Sequence, residues 1–320
     1  WDNLTLSEKI SYDYMTNTND VLWDRYSHNG GPGGVMQRII NRNEQLNTQT
    51  QLTYNKAFGE HNIDALLGFE TEDNKYAYNY LSGQDYPGDL YEFTNAGSTS
   101  ADSNIQSYRL TSFLGRVNYD FGGKYYLSAS YRTDGSSRLA RDNRWGSFWS
   151  VSGAWRFTHE NFMESTKEVL TDGKLRLSYG VNGTQPSVYY GYMNLYKYGQ
   201  KYNGISGMGI IGIANPDLKW EKNKTFNVGL DLTFLNRFAL TFDYYQRKTS
   251  DLIYDLPVSQ VGGYYDSSYG YYMPVNVGAL KNSGVEVTIQ TTNFQTYDFS
   301  WTTSLNIGHN TNELVTLNYE

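Results

Sequence analysis

The sequence has 320 residues, of which 18% are charged and none is cysteine, and its formal net charge is −7. The lack of cysteine excludes disulfides and thiolate metal sites, and an acidic chain without a basic patch disfavours nucleic acid as a partner. Mean hydropathy is −0.62, and no window approaches the run of about 18 apolar residues that a spanning helix needs. A membrane β-barrel remains compatible with these values, because only every second residue of its strands faces lipid.

Apolar and polar residues alternate in short segments along the whole chain. In one of them Phe226, Val228 and Leu230 are interleaved with Asn227 and Gly229. This period of two predicts strands with one apolar face. About eleven such segments can be counted, beginning with a weak one near residue 10 and including 63–70, 125–132, 149–156, 226–234, 238–245, 285–290 and 299–307.

The charged residues inside these strands fall on the polar face. An Arg or Lys facing lipid near the membrane midplane costs about 2–4 kcal/mol, so this segregation favours a membrane barrel. Arg109 and Lys56 break the pattern, and we expect both near strand ends, where the cost is small. A soluble antiparallel sheet also alternates, so parity alone does not decide. The residues that obey the pattern are Arg116, Arg132, Arg156, Arg176, Asp231, Asp243 and Glu286.

Short turns alternate with long polar stretches. The turns lie at 58–60, 121–123, 235–237 and 294–296, and the long stretches at 71–106, 183–222 and 251–283. Short turns on one side and long loops on the other are typical of outer-membrane barrels. We therefore predict an all-β fold, a transmembrane antiparallel β-barrel, with one helical turn inside the exceptional connection 158–173.

No motif points to an enzyme, a cofactor or a metal site. Residues 207–212 match G-x-G-x-x-G, but no helix signal follows them, so we interpret them as a loop. The four histidines are far apart and lack ligand spacing. Calcium in the loop around residues 85–89 stays open, although the spacing is not that of an EF-hand.

Two predicted loops are rich in tyrosine. Tyrosine offers a flat apolar face with a hydroxyl at its edge, which suits stacking on sugar rings, and it is also enriched in protein interfaces. Three interpretations stay open: binding of a substrate, contact with a partner protein, and packing within the loops. The candidate residues are Tyr189, Tyr190, Tyr192, Tyr264, Tyr265, Tyr269, Tyr271 and Tyr272.

A series of motifs resembles the SusC/RagA-type TonB-dependent outer-membrane transporters. They include GRVNYDFGGK at 115–124, RTDGSSR at 132–138, NPDLKWE at 215–221 and NSGVE at 282–286, and they run in family order. The resemblance implies a 22-stranded barrel in the outer membrane of a Gram-negative bacterium, filled by a plug and energised by TonB. It also implies a SusD-like surface lipoprotein as partner and an oligosaccharide, or in some members a peptide, as substrate.

The resemblance also bears on the extent and role of the chain. We expect residues 1–320 to be an internal part of the barrel domain, in contact with outer-membrane lipid, with the plug and the remaining strands absent. The expected function is TonB-dependent import of a bulky nutrient, with an oligosaccharide as the first expectation. A surface binding or adhesion module and a passive porin-like barrel are the alternatives.

Overall fold

Strands dominate the computed structural model, which describes residues 3–259 and 272–317. Eleven of them form one antiparallel sheet, in the order β1-β2-β3-β4-β5-β6-β7-β10-β11-β14-β15, and two hairpins, β8-β9 and β12-β13, stand apart from it. The prediction of eleven strands is confirmed. The bounds are β1 Leu4–Trp23, β2 Val35–Phe58, β3 His61–Gln84, β4 Ser98–Phe121, β5 Tyr125–Ser136, β6 Trp145–Trp155, β7 Leu170–Thr184, β8 Leu195–Tyr202, β9 Ile205–Gly212, β10 Glu221–Phe234, β11 Phe238–Ser250, β12 Ile253–Pro257, β13 Tyr272–Asn276, β14 Ala279–Gln295 and β15 Ser300–Thr316.

The chain divides into two compact units. Unit 1 comprises Trp1–Ser7, Thr50–Phe69 and Ser112–Glu320, and unit 2 comprises Glu8–Gln49 and Glu70–Thr111. In unit 1, β10 and β11 pair in an unbroken register from Phe234 opposite Phe238 to Lys222 opposite Ser250. Alternate residues along a paired strand point to opposite faces, so this register separates the two predicted faces.

The alternation of short and long connections is also confirmed. At one end of the sheet, here called the turn end, residues 59–60, 122–124, 235–237 and 296–299 join neighbouring strands. At the other end, the loop end, the connections are 24–34, 85–97, 137–144, 185–220 and 251–278. Apolar side chains of the alternating set, such as Leu127, Val151 and Leu177, are exposed, as a lipid-facing surface requires.

The prediction of a loop over 71–106 is wrong. Strand β3 continues to Gln84 and β4 begins at Ser98, so that only 85–97 connects them. These strand extensions lie in unit 2 and carry few aliphatic residues, and the hydrophobic alternation that marks a strand is therefore weak there. Arg109 accordingly lies in the middle of β4, and not near its end, and its guanidinium pairs with Asp73 at 2.6 Å.

The connection 156–169 at the turn end is anchored by polar contacts. It contains two 3₁₀ turns, Phe157–His159 and Asn161–Thr166, in place of the predicted single helical turn. The buried Thr158 hydroxyl accepts a hydrogen bond from the Gly173 amide at 2.9 Å. Glu160 accepts hydrogen bonds from the Tyr125 hydroxyl and the Trp155 indole, and these bonds hold the pKa of its carboxyl below the usual value.

In unit 2, Arg25 fixes the loop that follows β3. Its guanidinium donates to the Tyr86 carbonyl at 2.9 Å and pairs with Asp89 at 3.0 Å, while its amide donates to the Tyr91 hydroxyl. The rings of Tyr86 and Tyr91 meet edge to face, and burial raises the pKa of the Tyr86 hydroxyl. The loop proposed for calcium therefore has one of its carboxylates engaged by an arginine.

Two further features concern the described residues only. None of their helices is long and apolar enough to cross a membrane. Residues 3–259 and 272–317 contain no group of three or more His, Asp or Glu side chains placed to hold a metal ion.

Candidate functional site: the polar wall and the tyrosine loop

The polar face of unit 1 forms a cavity of about 720 Å³, here called the polar wall. Across it the strand register places Ser128, Ser152, Ser178 and Asn227 in one row. Hydroxyls and amides in such a row can exchange hydrogen bonds with a polar solute as water does. Side chains that line the cavity include Asn62, Asp64, Asn118, Asp120, Tyr126, Ser128, Ser152, Arg176, Ser178 and Asn227.

Neighbouring side chains of the polar wall satisfy one another. Asn118 accepts from the Ser128 hydroxyl at 2.6 Å and donates to Asp64 at 2.8 Å, while Asn62 donates to Asp120 at 2.9 Å. Buried or half-buried polar groups are costly without partners, and these pairs lower that cost, although the second carboxylate oxygen of Asp120 is buried without a partner. The result is a fixed hydrogen-bonding surface across three neighbouring strands.

Arg176 is the centre of a charged cluster that the strand parity did not reveal. Its guanidinium pairs with Asp231 at 2.7 and 2.9 Å and with Asp243 at 3.0 Å. Gly229 lies opposite both Arg176 and Asp243, and a Cβ there would come within 2.5 Å of either side chain. Glycine thus leaves the space through which arginine reaches two strands, and the two carboxylates are paired rather than freely solvated.

The tyrosine loop, residues 185–194, carries three of the predicted site residues. Tyr189, Tyr190 and Tyr192 are half-buried, and the first two rings lie 6.2 Å apart. The guanidinium of Arg138 lies 4.6 Å from the centre of the Tyr189 ring and donates to the carbonyls of Pro186 and Ser187. This contact fixes the ring and occupies one of its faces.

Tyr272 belongs to the same cluster of loops. It opens β13 and is half-exposed. Asn215 joins its strand to the tyrosine loop, because its side chain donates to the Pro274 carbonyl at 2.7 Å and its amide donates to the Gly191 carbonyl at 2.9 Å. The structure therefore joins the strand that begins with Tyr272 to the loop that carries Tyr189, Tyr190 and Tyr192. Tyr264, Tyr265, Tyr269 and Tyr271 lie outside the described residues.

Two tyrosines that the sequence pattern did not single out are more exposed than Tyr189, Tyr190 and Tyr192. Tyr196 and Tyr198 on β8 are 48% and 78% exposed, and they pair with Ile210 and Met208 of β9. The alternation of tyrosines at 196 and 198 was a signal for this hairpin. Arg138 and Asn215 were also missed, because nothing in their local sequence reveals contacts made across 48 to 59 positions.

A small aromatic core supports this cluster at the loop end. Phe148 and Trp220 are buried and meet edge to face at 5.4 Å, and the Trp220 indole donates to the Arg144 carbonyl at 2.9 Å. The ring of Phe148 lies directly over Gly183, where a Cβ would overlap it. The core thus ties strands β6, β7 and the start of β10 to the loop 137–144.

The sheet consists of eleven neighbouring antiparallel strands, with one apolar and one polar face. Its strands are joined by short turns at one end and by long loops at the other. These features define a wall of an outer-membrane β-barrel. The family described as TonB dependent receptor-like, beta-barrel, matches residues 1–318. The chain belongs to this family, and the resemblance read from its motifs is confirmed. Its location is the outer membrane of a Gram-negative bacterium.

Individual relatives agree with the family assignment. The TonB-dependent receptor SusC of Bacteroides thetaiotaomicron is 32% identical over 326 residues, which cover 98% of this chain and 32% of that protein. TonB-dependent receptor P39 of Formosa agariphila is 32% identical over 290 residues, covering 87% of this chain and 27% of that protein. The chain thus spans about a third or less of the length of these relatives.

Solved structures show the same architecture. The RagAB peptide transporter superposes with a TM-score of 0.88 at 26% identity, covering 99% of this chain and 35% of that chain. The siderophore receptor PiuA from Acinetobacter baumannii superposes with a TM-score of 0.61 at 14% identity, covering 99% of this chain and 45% of that chain. The second likeness shows a shared fold alone.

Proposed function

We propose that the chain forms part of the wall of a larger plugged barrel that imports a bulky nutrient actively, with energy supplied through TonB. The observation that carries the proposal is the family match over residues 1–318, together with relatives named as TonB-dependent receptors. The plug, the TonB-binding segment and the remaining strands would belong to other parts of the longer protein.

The residues of this chain would have two tasks in import. The loops at the loop end would capture the solute outside the cell, because they hold the accessible aromatic rings. The polar wall would then offer serine and asparagine side chains that replace water around a polar solute as it passes. Arg176 offsets part of the charge of Asp231 and Asp243, so hydrogen bonding would contribute more than net charge to the contact with the solute.

The TonB dependence of uptake tests the proposal. Cells that carry the full-length protein are supplied with labelled neutral oligosaccharides, with a panel of labelled peptides in parallel, and uptake is compared with and without TonB. We expect uptake only where TonB is functional, since the plug has to be moved by an energised partner. Equal uptake in both strains would contradict active import and favour a porin, and binding without uptake would favour an adhesion module.

For the substrate we propose an oligosaccharide, captured at the tyrosine loop together with a SusD-like surface lipoprotein. Tyr189 and Tyr190 place two aromatic rings side by side in this loop, and sugar rings stack on aromatic faces of this kind. A peptide is the second candidate, and the likeness to the RagAB peptide transporter favours it. Tyrosines also suit the peptide backbone and the surface of a lipoprotein.

Replacement of Tyr189, Tyr190 and Tyr192 by alanine should weaken capture. We expect the affinity for the labelled solute, or for the lipoprotein, to fall roughly tenfold or more, because aromatic residues dominate such contacts. Binding to purified full-length protein measures this. Tyr297→Ala is the matched control, since Tyr297 is fully exposed in a turn at the opposite end of the sheet. If the triple variant binds both partners like the control, the tyrosine loop serves packing alone.

A further inference from the structure

The apolar face of unit 1 contains an open groove of about 490 Å³. Its volume falls within the range of about 300–1,000 Å³ that is usual for ligand pockets. Its lining combines the small residues Ala65 and Ala129 with the larger Leu67, Tyr54 and Tyr131. The two alanines leave room beside the larger side chains, and this mostly apolar depression suits a hydrocarbon chain.

Lys56 follows the groove residues of β2 toward the turn end; it lies outside the groove lining and also borders the polar cavity. It is two residues beyond the groove residue Tyr54, about 7 Å further along β2 on the same face of the sheet. Its side chain is exposed, and it is the lysine that breaks the segregation of charges between the two faces. A cation on a lipid-facing surface is tolerated where it reaches the headgroup layer, and it attracts phosphate there.

Aromatic residues place Lys56 at the level of that layer. His61 stacks on Phe58 at 5.2 Å and meets Phe121 in a tilted arrangement at 4.8 Å, and its Nδ1 is hydrogen-bonded to the Tyr119 hydroxyl at 2.7 Å. Rings with polar edges collect where the hydrocarbon meets the headgroups. The groove therefore extends from the headgroup level, marked by Lys56 and these rings, into the hydrocarbon layer.

We propose that the groove and Lys56 together bind one phospholipid of the inner leaflet. Its phosphate would pair with the Lys56 ammonium, and one acyl chain would lie in the groove over Ala65 and Ala129. The adjoining turn contains the exposed Glu60, whose carboxylate complements the ammonium of an ethanolamine headgroup. Phosphatidylethanolamine is thus the occupant that matches both charges and the apolar groove, independently of the solute that the barrel carries.

Lipid retention by purified full-length protein tests this site. The protein is extracted in a mild detergent, supplied with phosphatidylethanolamine, and examined by native mass spectrometry for bound lipid. We expect Lys56→Gln to lower the retained lipid roughly fivefold, the contribution of one cation near a membrane surface. Ala129→Leu should lower it to the background level, because the added side chain fills the groove and adds no polar group.

Controls make the outcome decisive. Lys167→Gln removes an equal charge at the same end of the sheet, in the exposed connection 156–169, and should leave retention unchanged. Ala65→Leu fills the same groove from the neighbouring strand and replaces Ala129→Leu if that variant does not fold. Retention equal to that of the unaltered protein in both Lys56→Gln and a groove-filling variant would overturn the site. Displacement of the lipid by inorganic phosphate alone would indicate a phosphate site without an acyl groove, and would also overturn it.

Discussion

Replacement of Phe148 by alanine is expected to lower the free energy of unfolding of the full-length protein by about 3–5 kcal/mol, the usual cost of truncating a buried phenylalanine. Phe148 is buried against Trp220, and its ring covers Gly183. No side chain at position 183 can close the resulting cavity, because the residue there is glycine. Denaturant unfolding of the protein in detergent micelles, followed by tryptophan fluorescence, measures the change.

A second phenylalanine provides the control for this prediction. Phe294 is 58% exposed at the turn end and stacks on Trp301 at 5.9 Å. Its replacement by alanine loses a ring contact of about 0.5–1.5 kcal/mol and leaves no buried cavity. Equal losses of stability in the two variants would show that the aromatic core at the loop end contributes no more than an exposed ring pair.

The replacement of Arg176 by glutamine is expected to cost about 1.5–3 kcal/mol, the range for hydrogen bonds to charged groups. The substitution leaves Asp231 and Asp243 without their shared cation on a half-buried part of the polar wall. All three side chains are about a third exposed, so water screens part of the repulsion and the loss stays below that of a fully buried pair. The same unfolding experiment measures it.

Arg109 offers a matched arginine for this comparison. Its pair with Asp73 is mostly exposed, and exposed pairs contribute about 0–1 kcal/mol, so Arg109→Gln should change stability little. The double variant Arg176→Gln, Asp243→Asn should be less destabilised than the sum of the two single variants, since the pair interacts directly. Additive losses would mean that Arg176 and Asp243 act independently, contrary to the geometry.

The strands could be predicted from the sequence wherever one face of the sheet meets lipid. In 226–234 and 238–245 the alternation of apolar and polar residues predicted both strands and the turn between them, and the register confirms them. The extensions of β3 and β4 were missed, because strands whose two faces both meet polar surroundings carry no such alternation. The same absence of a local signal explains why Arg109 was expected near a strand end, although it lies in the middle of β4.

In the candidate site, too, some residues could be predicted from the sequence and others could not. Tyrosine clusters are visible in the sequence because composition is a local property, and Tyr189, Tyr190 and Tyr192 were found by that route. Their support was not visible, since Arg138 and Asn215 reach them across long separations in the chain. The accessible Tyr198 was missed because exposure depends on what the rest of the fold leaves uncovered.

By itself the sequence determined the class of fold and the family, because lipid imposes a period of two on every spanning strand and because motifs keep their order. Only the tertiary structure decided which charges meet and which surfaces are shaped to bind. The strand register places Arg176 opposite Gly229, and its guanidinium pairs with both Asp231 and Asp243. Register across neighbouring strands likewise assembled the groove beside Lys56. Pairings of this kind depend on contacts between distant segments, which a linear pattern does not contain.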